Sequence, residues 1–133
     1  MRLLPLIAIV LAVILLAGCG GDDNNGRVNL VLTEDDLGHT FSVDTGSTVS
    51  LTLPENPSTG YSWHKSWVPQ TSLALLYDLY DPDEPVVDGS GGQRRLVFGT
   101  QKPGTVVITV QYGQWWDGGT QQEPQTVTLN VVR

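Results

Sequence analysis

The chain has 133 residues, enough for one domain, and a formal net charge of −7. Its 40% hydrophobic residues suffice to build a small core. The sequence contains no basic cluster beyond the pair Arg94-Arg95, which argues against nucleic acid as a partner because phosphate binding requires clustered positive charge.

The first 18 residues have the pattern of an export signal. Arg2 supplies a positive charge, residues 3–17 are almost entirely apolar, and the small residues Ala17-Gly18 precede Cys19. Cys19 is the only cysteine, so an intrachain disulfide is excluded. This pattern resembles the lipobox of bacterial-type lipoproteins. The resemblance implies that residues 1–18 are a lipoprotein signal peptide and that Cys19 carries the lipid.

Lipidation would anchor the protein to the cell envelope or cell surface, on the periplasmic or extracellular side. An ordinary signal peptide that happens to contain Cys19 is the alternative. Residues 19–26 are rich in Gly, Asp and Asn, cannot bury a side chain, and are predicted to form a flexible tether. One acyl chain binds a membrane only marginally, so stable anchoring requires more than one. We predict the folded domain over residues 27–133.

The domain consists of short segments in which apolar and polar residues alternate. The apolar positions are Val28, Leu30 and Leu32; Phe41 and Val43; Val49, Leu51 and Leu53; Leu96 and Phe98; Val106, Ile108 and Val110; and Val127, Leu129 and Val131. Turn residues separate them, as in residues 44–46 and 102–104. Residues 71–80 fit either a helical or a strand period, and Tyr77 and Tyr80 favour a strand. We therefore predict an all-β fold, an antiparallel β-sandwich of about seven to eight strands.

The first of three unusual loops, residues 55–63, is predicted to form a rigid and largely uncharged projection. Asn56 can bond to its own backbone, Pro57 fixes φ, and Gly60 allows a positive φ. A preorganised loop loses little entropy on binding, which favours tight association. Trp63, near the end of this loop, is predicted to serve the core instead.

The second loop, residues 88–94, consists mainly of the small residues Gly89-Ser90-Gly91-Gly92, which let another backbone approach closely. It does not match a phosphate-binding loop, because neither Lys-Ser/Thr nor a helix follows. The third loop, residues 112–119, contains the adjacent Trp115 and Trp116. Neighbouring residues of a strand face opposite sides, so at least one tryptophan is expected to be exposed, as at binding hot spots.

Together the three loops resemble those of the chagasin-type inhibitors of cysteine proteases. The segment Asn56-Pro57-Ser58-Thr59-Gly60-Tyr61 is similar to that family's Asn-Pro-Thr-Thr-Gly-Tyr loop, and Gly89-Ser90-Gly91-Gly92, followed by Arg94, is similar to its Gly-x-Gly-Gly loop. The family's third motif is Arg-Pro-Trp. The equivalent positions here are Gln114-Trp115-Trp116, so only the tryptophan is retained. The motifs occur in the family's order and spacing.

The resemblance implies an immunoglobulin-like sandwich whose three loops block the active-site cleft of papain-like cysteine proteases, the cathepsin class. The loop Asn56–Tyr61 would enter the cleft, with Thr59 nearest to the catalytic Cys and His. Gly89–Gly92 would lie on the non-primed side and Trp116 on the primed side. Inhibition would be reversible and competitive, without covalent chemistry or a cofactor, by a monomer. The replacement of Arg-Pro by Gln114-Trp115 is expected to alter affinity and target choice.

The sequence bears on two other classes of function. An enzyme is disfavoured because His39 and His64, the only histidines, lack metal-ligand spacing and no Gly-x-Ser-x-Gly motif occurs. The acidic residues within 81–88 do not match a calcium loop and are interrupted by two prolines, so no metal site is predicted. A cell-surface immunoglobulin-like binding or adhesion module without protease inhibition remains the alternative, because a fold does not determine a function.

Overall fold

A computed structural model describes residues 28–133; the predicted signal peptide, the tether and Cys19 lie outside the described residues. The described part forms eight strands: β1 (Leu30–Thr33), β2 (Thr40–Asp44), β3 (Thr48–Glu55), β4 (Ser62–Val68), β5 (Leu73–Pro82), β6 (Gly92–Thr100), β7 (Gly104–Gly113) and β8 (Gln125–Val132). Three single-turn 3₁₀ helices connect them: Glu34–Asp36, Pro57–Thr59 and Gln70–Ser72. Over residues 28–133 no helix is long and apolar enough to cross a membrane.

The strands form two four-stranded sheets, ordered β1-β3-β6-β5 and β2-β8-β7-β4. The all-β sandwich and the number of strands are confirmed. The sheets are mixed, however, and not wholly antiparallel as predicted, because β1 pairs with β3 and β2 pairs with β8 in parallel. Side chains alternate with the same period in both kinds of pairing, so the apolar pattern does not reveal strand direction.

The core lies between the two sheets and is built largely from the alternating residues that the sequence indicates. Leu30 and Phe41 are only partly buried at its margin, and Leu73 of β5 is an additional member. Its buried members are Leu32, Val43, Val49, Leu51, Leu53, Leu73, Leu96, Phe98, Val106, Ile108, Val110, Val127, Leu129 and Val131. Each such side chain stabilises the fold by about 1.5–3 kcal/mol relative to an exposed position. Trp63 and Trp67 pack against this core from its rim.

Strand β5 explains why residues 71–80 fit two periods. Its pairing with β6 shifts register between Leu75 and Tyr77, so Leu76 is the extra residue of a β-bulge. An inserted residue exchanges the two faces of the strand from that point onward. The prediction of a strand is confirmed, and the bulge accounts for the broken alternation.

The register places three connections at one end of the sandwich. Gly92, the first residue of β6, lies opposite both Glu55 at the end of β3 and Pro82 at the end of β5. In the other sheet, Ser62 at the start of β4 lies opposite Gly113 at the end of β7. The β3–β4, β5–β6 and β7–β8 connections therefore meet, although they are far apart in sequence.

Candidate functional site

The central loop, residues 56–61, joins β3 of one sheet to β4 of the other. Its 3₁₀ turn is capped by Asn56, whose side-chain oxygen accepts hydrogen bonds from the Ser58 backbone N–H (3.1 Å) and hydroxyl (2.6 Å). The Thr59 hydroxyl donates to the Asn56 carbonyl at 2.6 Å. Gly60 ends the turn with a φ of 79°, which costs glycine little and other residues more. These bonds join groups of the loop to one another and favour the preorganised shape that the sequence predicts.

Aromatic rings pack against the central loop on its side toward the sandwich. Tyr112 of β7 stacks on Trp63 with ring centroids 4.7 Å apart and lies tilted against Tyr61 at 5.1 Å. Its hydroxyl accepts a hydrogen bond from the Asn56 backbone N–H at 2.9 Å. The predicted structural role of Trp63 is confirmed, since its side chain packs against the core and its indole N–H donates to the Pro54 carbonyl at 2.9 Å. The role of Tyr112 could not be predicted from the sequence, because a tyrosine at the end of a strand has no distinctive pattern.

A network of charged side chains lies at the base of the central loop, where β3 ends and β4 begins. Glu55, only 3% exposed, accepts hydrogen bonds from Arg94 Nε (3.0 Å) and Nη2 (2.7 Å) and from the Trp63 backbone N–H (3.3 Å). Arg94 Nη1 also donates to Asp78 at 3.2 Å, and Asp78 pairs with Lys65 of β4. Partial burial lowers the pKa of the Arg94 guanidinium, but the Glu55 hydrogen bonds and the charges of Glu55 and Asp78 outweigh it and raise that pKa.

This network gives Arg94 intramolecular partners. Its guanidinium is held by two carboxylates and lies 5.6 Å from the centre of the Tyr80 ring, and 26% of its side chain is exposed. The sequence could not show this, because Glu55 and Asp78 belong to other strands. Contact between Arg94 and a protease stays a prediction.

The glycine loop, residues 83–91, lies beside the central loop. The Asn56 side-chain amide donates a hydrogen bond to the Gly89 carbonyl at 3.1 Å, which ties the two loops together. Ser90 closes the glycine loop on itself, because its hydroxyl donates to the Val87 carbonyl at 2.7 Å.

Three glycines at this side have different roles. A Cβ at Gly91 would stand 3.2 Å from the Glu55 carbonyl oxygen, and one at Gly92 would stand 2.7 Å from Pro82 Cα. Both residues therefore allow close packing within the chain. Gly89 has a φ of 80° and open space around its missing Cβ. The sequence predicts that a partner backbone approaches this loop closely, and Gly89 is the glycine that leaves space for it.

The tryptophan loop, residues 114–124, lies on the other side of the central loop. Trp116 is 54% exposed, and its indole covers Gly60: a Cβ on that glycine would stand 2.9 Å from Trp116 Cζ3. Trp115 is half-buried, stacks on His64 at a centroid distance of 3.5 Å, and donates its indole N–H to the Ser62 carbonyl at 3.0 Å. The expectation of one exposed tryptophan is confirmed, and Trp115 braces the loop against β4.

Gln114, which stands at the position of the family's arginine, contacts the chain itself. Its amide nitrogen donates to the Thr59 carbonyl at 3.1 Å, and its amide oxygen accepts from the backbone N–H of Thr120 at 3.3 Å. The central loop is thereby hydrogen-bonded to the glycine loop on one side and to the tryptophan loop on the other. The structure thus brings residues 56–61, 89–91 and 114–116 into one continuous surface, named here the loop edge.

Two further observations describe the chemistry of the loop edge. Among residues 28–133, no group of three or more His, Cys, Asp or Glu is arranged to hold a metal ion. In the same part of the chain, every buried polar atom of a side chain has a hydrogen-bond partner. The fold is therefore a β-sandwich in which three loops, bonded to one another, form a continuous surface at one end.

The family of this chain follows from comparison with known proteins. The model of the chagasin family of peptidase inhibitors (I42) matches residues 42–131. The chain belongs to the chagasin family and is therefore a protease inhibitor and not an enzyme. The prediction of a chagasin-like cysteine protease inhibitor is confirmed.

Individual relatives agree with the family match. Chagasin of Trypanosoma cruzi is 28% identical over 91 residues, which cover 65% of this chain and 83% of chagasin. Amoebiasin-1 of Entamoeba histolytica is 28% identical over 100 residues, 75% of this chain and 97% of the relative. The crystal structure of the cysteine protease inhibitor EhICP2 from Entamoeba histolytica superposes with a TM-score of 0.65 at 23% identity, covering 79% of this chain and 99% of that chain. This last likeness shows the shared fold.

Proposed function

We propose that this protein, acting as a monomer, inhibits papain-like cysteine proteases of the cathepsin class by inserting the loop edge into their active-site cleft. The observation that carries the proposal is the bonding of three distant loops into one edge. Asn56 is bonded to Gly89 on one side and Thr59 to Gln114 on the other. A preformed edge avoids the ordering cost of binding, which is how tight protease–inhibitor pairs of standard size arise.

In this arrangement the central loop enters the cleft with Thr59 nearest to the catalytic pair. Gly89 lies on the non-primed side, where its missing side chain admits the protease, and Trp116 packs on the primed side. The central loop resists cleavage because its backbone is folded into a 3₁₀ turn whose N–H groups at Thr59 and Gly60 are bonded within the loop. A turn of this kind does not offer the extended peptide that a protease cleaves.

A titration of residues 20–133 against papain and a cathepsin tests the proposal. We expect inhibition below micromolar concentration, an apparent inhibition constant that rises linearly with substrate concentration, and full recovery of protease activity on dilution. The absence of inhibition at micromolar concentration would contradict the proposal and favour the adhesion module.

The central loop can be tested by the substitution Thr59→Arg. A bulky charged side chain at the tip should block entry into the cleft and weaken inhibition by about a hundredfold or more, equivalent to at least about 2.7 kcal/mol of binding free energy. Thr71→Arg is a matched control, because Thr71 is an exposed threonine in the 3₁₀ turn at the opposite end of the sandwich. Both variants should unfold within a few degrees of the wild type. Full inhibition by Thr59→Arg would remove the central loop from the mechanism.

We also propose that Cys19 is lipidated and holds the inhibitor on the outer side of a membrane. Support comes from the positive Arg2, the apolar residues 3–17 and the small residues before the only cysteine. Expression of the full chain in a bacterium with labelled palmitate should label the membrane fraction, and Cys19→Ser should abolish both the label and the membrane association. Labelling of Cys19→Ser equal to that of the wild type would overturn this part of the proposal.

A further inference from the structure

The side chain of Gln114 makes three hydrogen bonds within the chain. Besides its bonds to Thr59 and the Thr120 backbone, its oxygen accepts from the Thr120 hydroxyl at 3.3 Å. That hydroxyl lies 2.5 Å from the hydroxyl of Tyr61, which belongs to the central loop. Gly119 packs on Gln114 so closely that a Cβ there would stand 2.8 Å from Gln114 Cβ. The tryptophan loop is thus joined to the central loop twice, directly from Gln114 to Thr59 and through Thr120 to Tyr61.

The orientation of the Gln114 amide follows from its neighbours. One neighbour is a carbonyl oxygen, which needs a donor, and another is a backbone N–H, which needs an acceptor. A flipped amide would place oxygen against oxygen and N–H₂ against N–H. The surroundings therefore favour glutamine over Glu or Arg. Neither of these offers both a donor to the Thr59 carbonyl and an acceptor for the Thr120 N–H.

We infer that Gln114 is a positioning residue, an internal latch that holds Trp116 over Gly60 before a protease binds. This inference rests on the proposed function and concerns how the loop edge is prepared. The family's arginine at this position is replaced by a residue whose amide is bonded to the chain itself. The tryptophan loop of this chain therefore offers an uncharged surface at residues 114–116, with Trp116 as its exposed aromatic.

The substitution Gln114→Glu tests the latch, because it removes the donor to the Thr59 carbonyl and leaves an oxygen facing Thr120. Gln111→Glu is the matched control. The Gln111 amide donates to the Gln122 carbonyl at 2.9 Å, at the base of the same loop, and does not reach the central loop. Both variants lose one amide donor and gain one negative charge.

The first measurement needs no protease. In NMR spectra of residues 20–133, the indole N–H signal of Trp116 should shift or broaden by exchange in Gln114→Glu and stay in place in Gln111→Glu. The indoles of Trp63 and Trp67 are internal references, since they donate to the Pro54 and Gln70 carbonyls. An unchanged Trp116 signal in Gln114→Glu would overturn the latch.

The second measurement separates positioning from direct contact. Gln114→Glu should weaken inhibition about tenfold, mainly through slower association, because only a fraction of free inhibitor would hold the competent edge. In a Trp116→Ala background the same substitution should cost less than about twofold, since there is no longer a tryptophan to position. A tenfold loss that persists in this background would mean direct contact and overturn the latch. If the wild type inhibits no cysteine protease, the proposed function fails, and the NMR measurement still decides the latch.

Discussion

At the residue scale, Gly60 combines two requirements that no other residue type meets. Its φ of 79° is left-handed, and the Trp116 indole occupies the space where a Cβ would stand. Gly60→Ala should therefore destabilise the fold by about 1–3 kcal/mol through backbone strain and push Trp116 from its place. We expect the thermal midpoint to fall by several degrees and inhibition by the folded protein to weaken more than tenfold.

Gly46→Ala separates these two effects. Gly46 has a φ of 82° with open space around its missing Cβ, and it lies in the β2–β3 turn, at the far end of the sandwich. This variant should show a similar fall in the thermal midpoint with inhibition intact. Equal inhibition by the two variants would show that the contact between Gly60 and Trp116 is not needed.

At the element scale, the charged network joins β3, β4, β5 and β6 directly under the loop edge. Arg94→Met should leave Glu55 buried without its cation, which costs about 3–5 kcal/mol of folding free energy. Arg95→Met is the control, because Arg95 is next in β6 and forms no ion pair within residues 28–133. Urea unfolding gives both free energies. If Arg94 instead contacts the protease, its loss would reduce inhibition at constant stability.

The strands and the loops differ in how far the sequence predicts them. Alternation is a local property, so the buried residues of β3, β7 and β8 could be identified directly, and so could the capped turn at Asn56. The pairing of edge strands is set by contacts between distant segments, which is why the parallel β1–β3 pair was missed. The hydrogen bond from Gln114 to the central loop could not be predicted for the same reason, because Thr59 lies 55 positions away in sequence.

At the scale of the whole molecule, negative charge is concentrated around the loop edge. The acidic residues of the flanking loops and of the turn after β1 are Glu34, Asp35, Asp36, Asp83, Glu84, Asp88, Asp117 and Glu123. Lys102 and Arg133 lie at the opposite end. Such an arrangement orients an approaching protease by its field and changes the association rate more than the dissociation rate.

The association rate should therefore depend on salt in a way that reports the charge of the protease. With a protease that is positive around its cleft, raising the ionic strength from about 0.01 to 1 M shortens the Debye length from about 30 to 3 Å and should slow association about tenfold or more. With a protease that is negative there, association should become faster. Stopped-flow measurements with both proteases give the slope of the association rate against ionic strength for each of them. The two slopes would be equal if the acidic loops had no influence. With the positively charged protease, Asp88→Asn should reduce the salt dependence of the association rate more than Asp44→Asn does. The two substitutions remove the same charge, but Asp44 ends β2 at the far end of the sandwich.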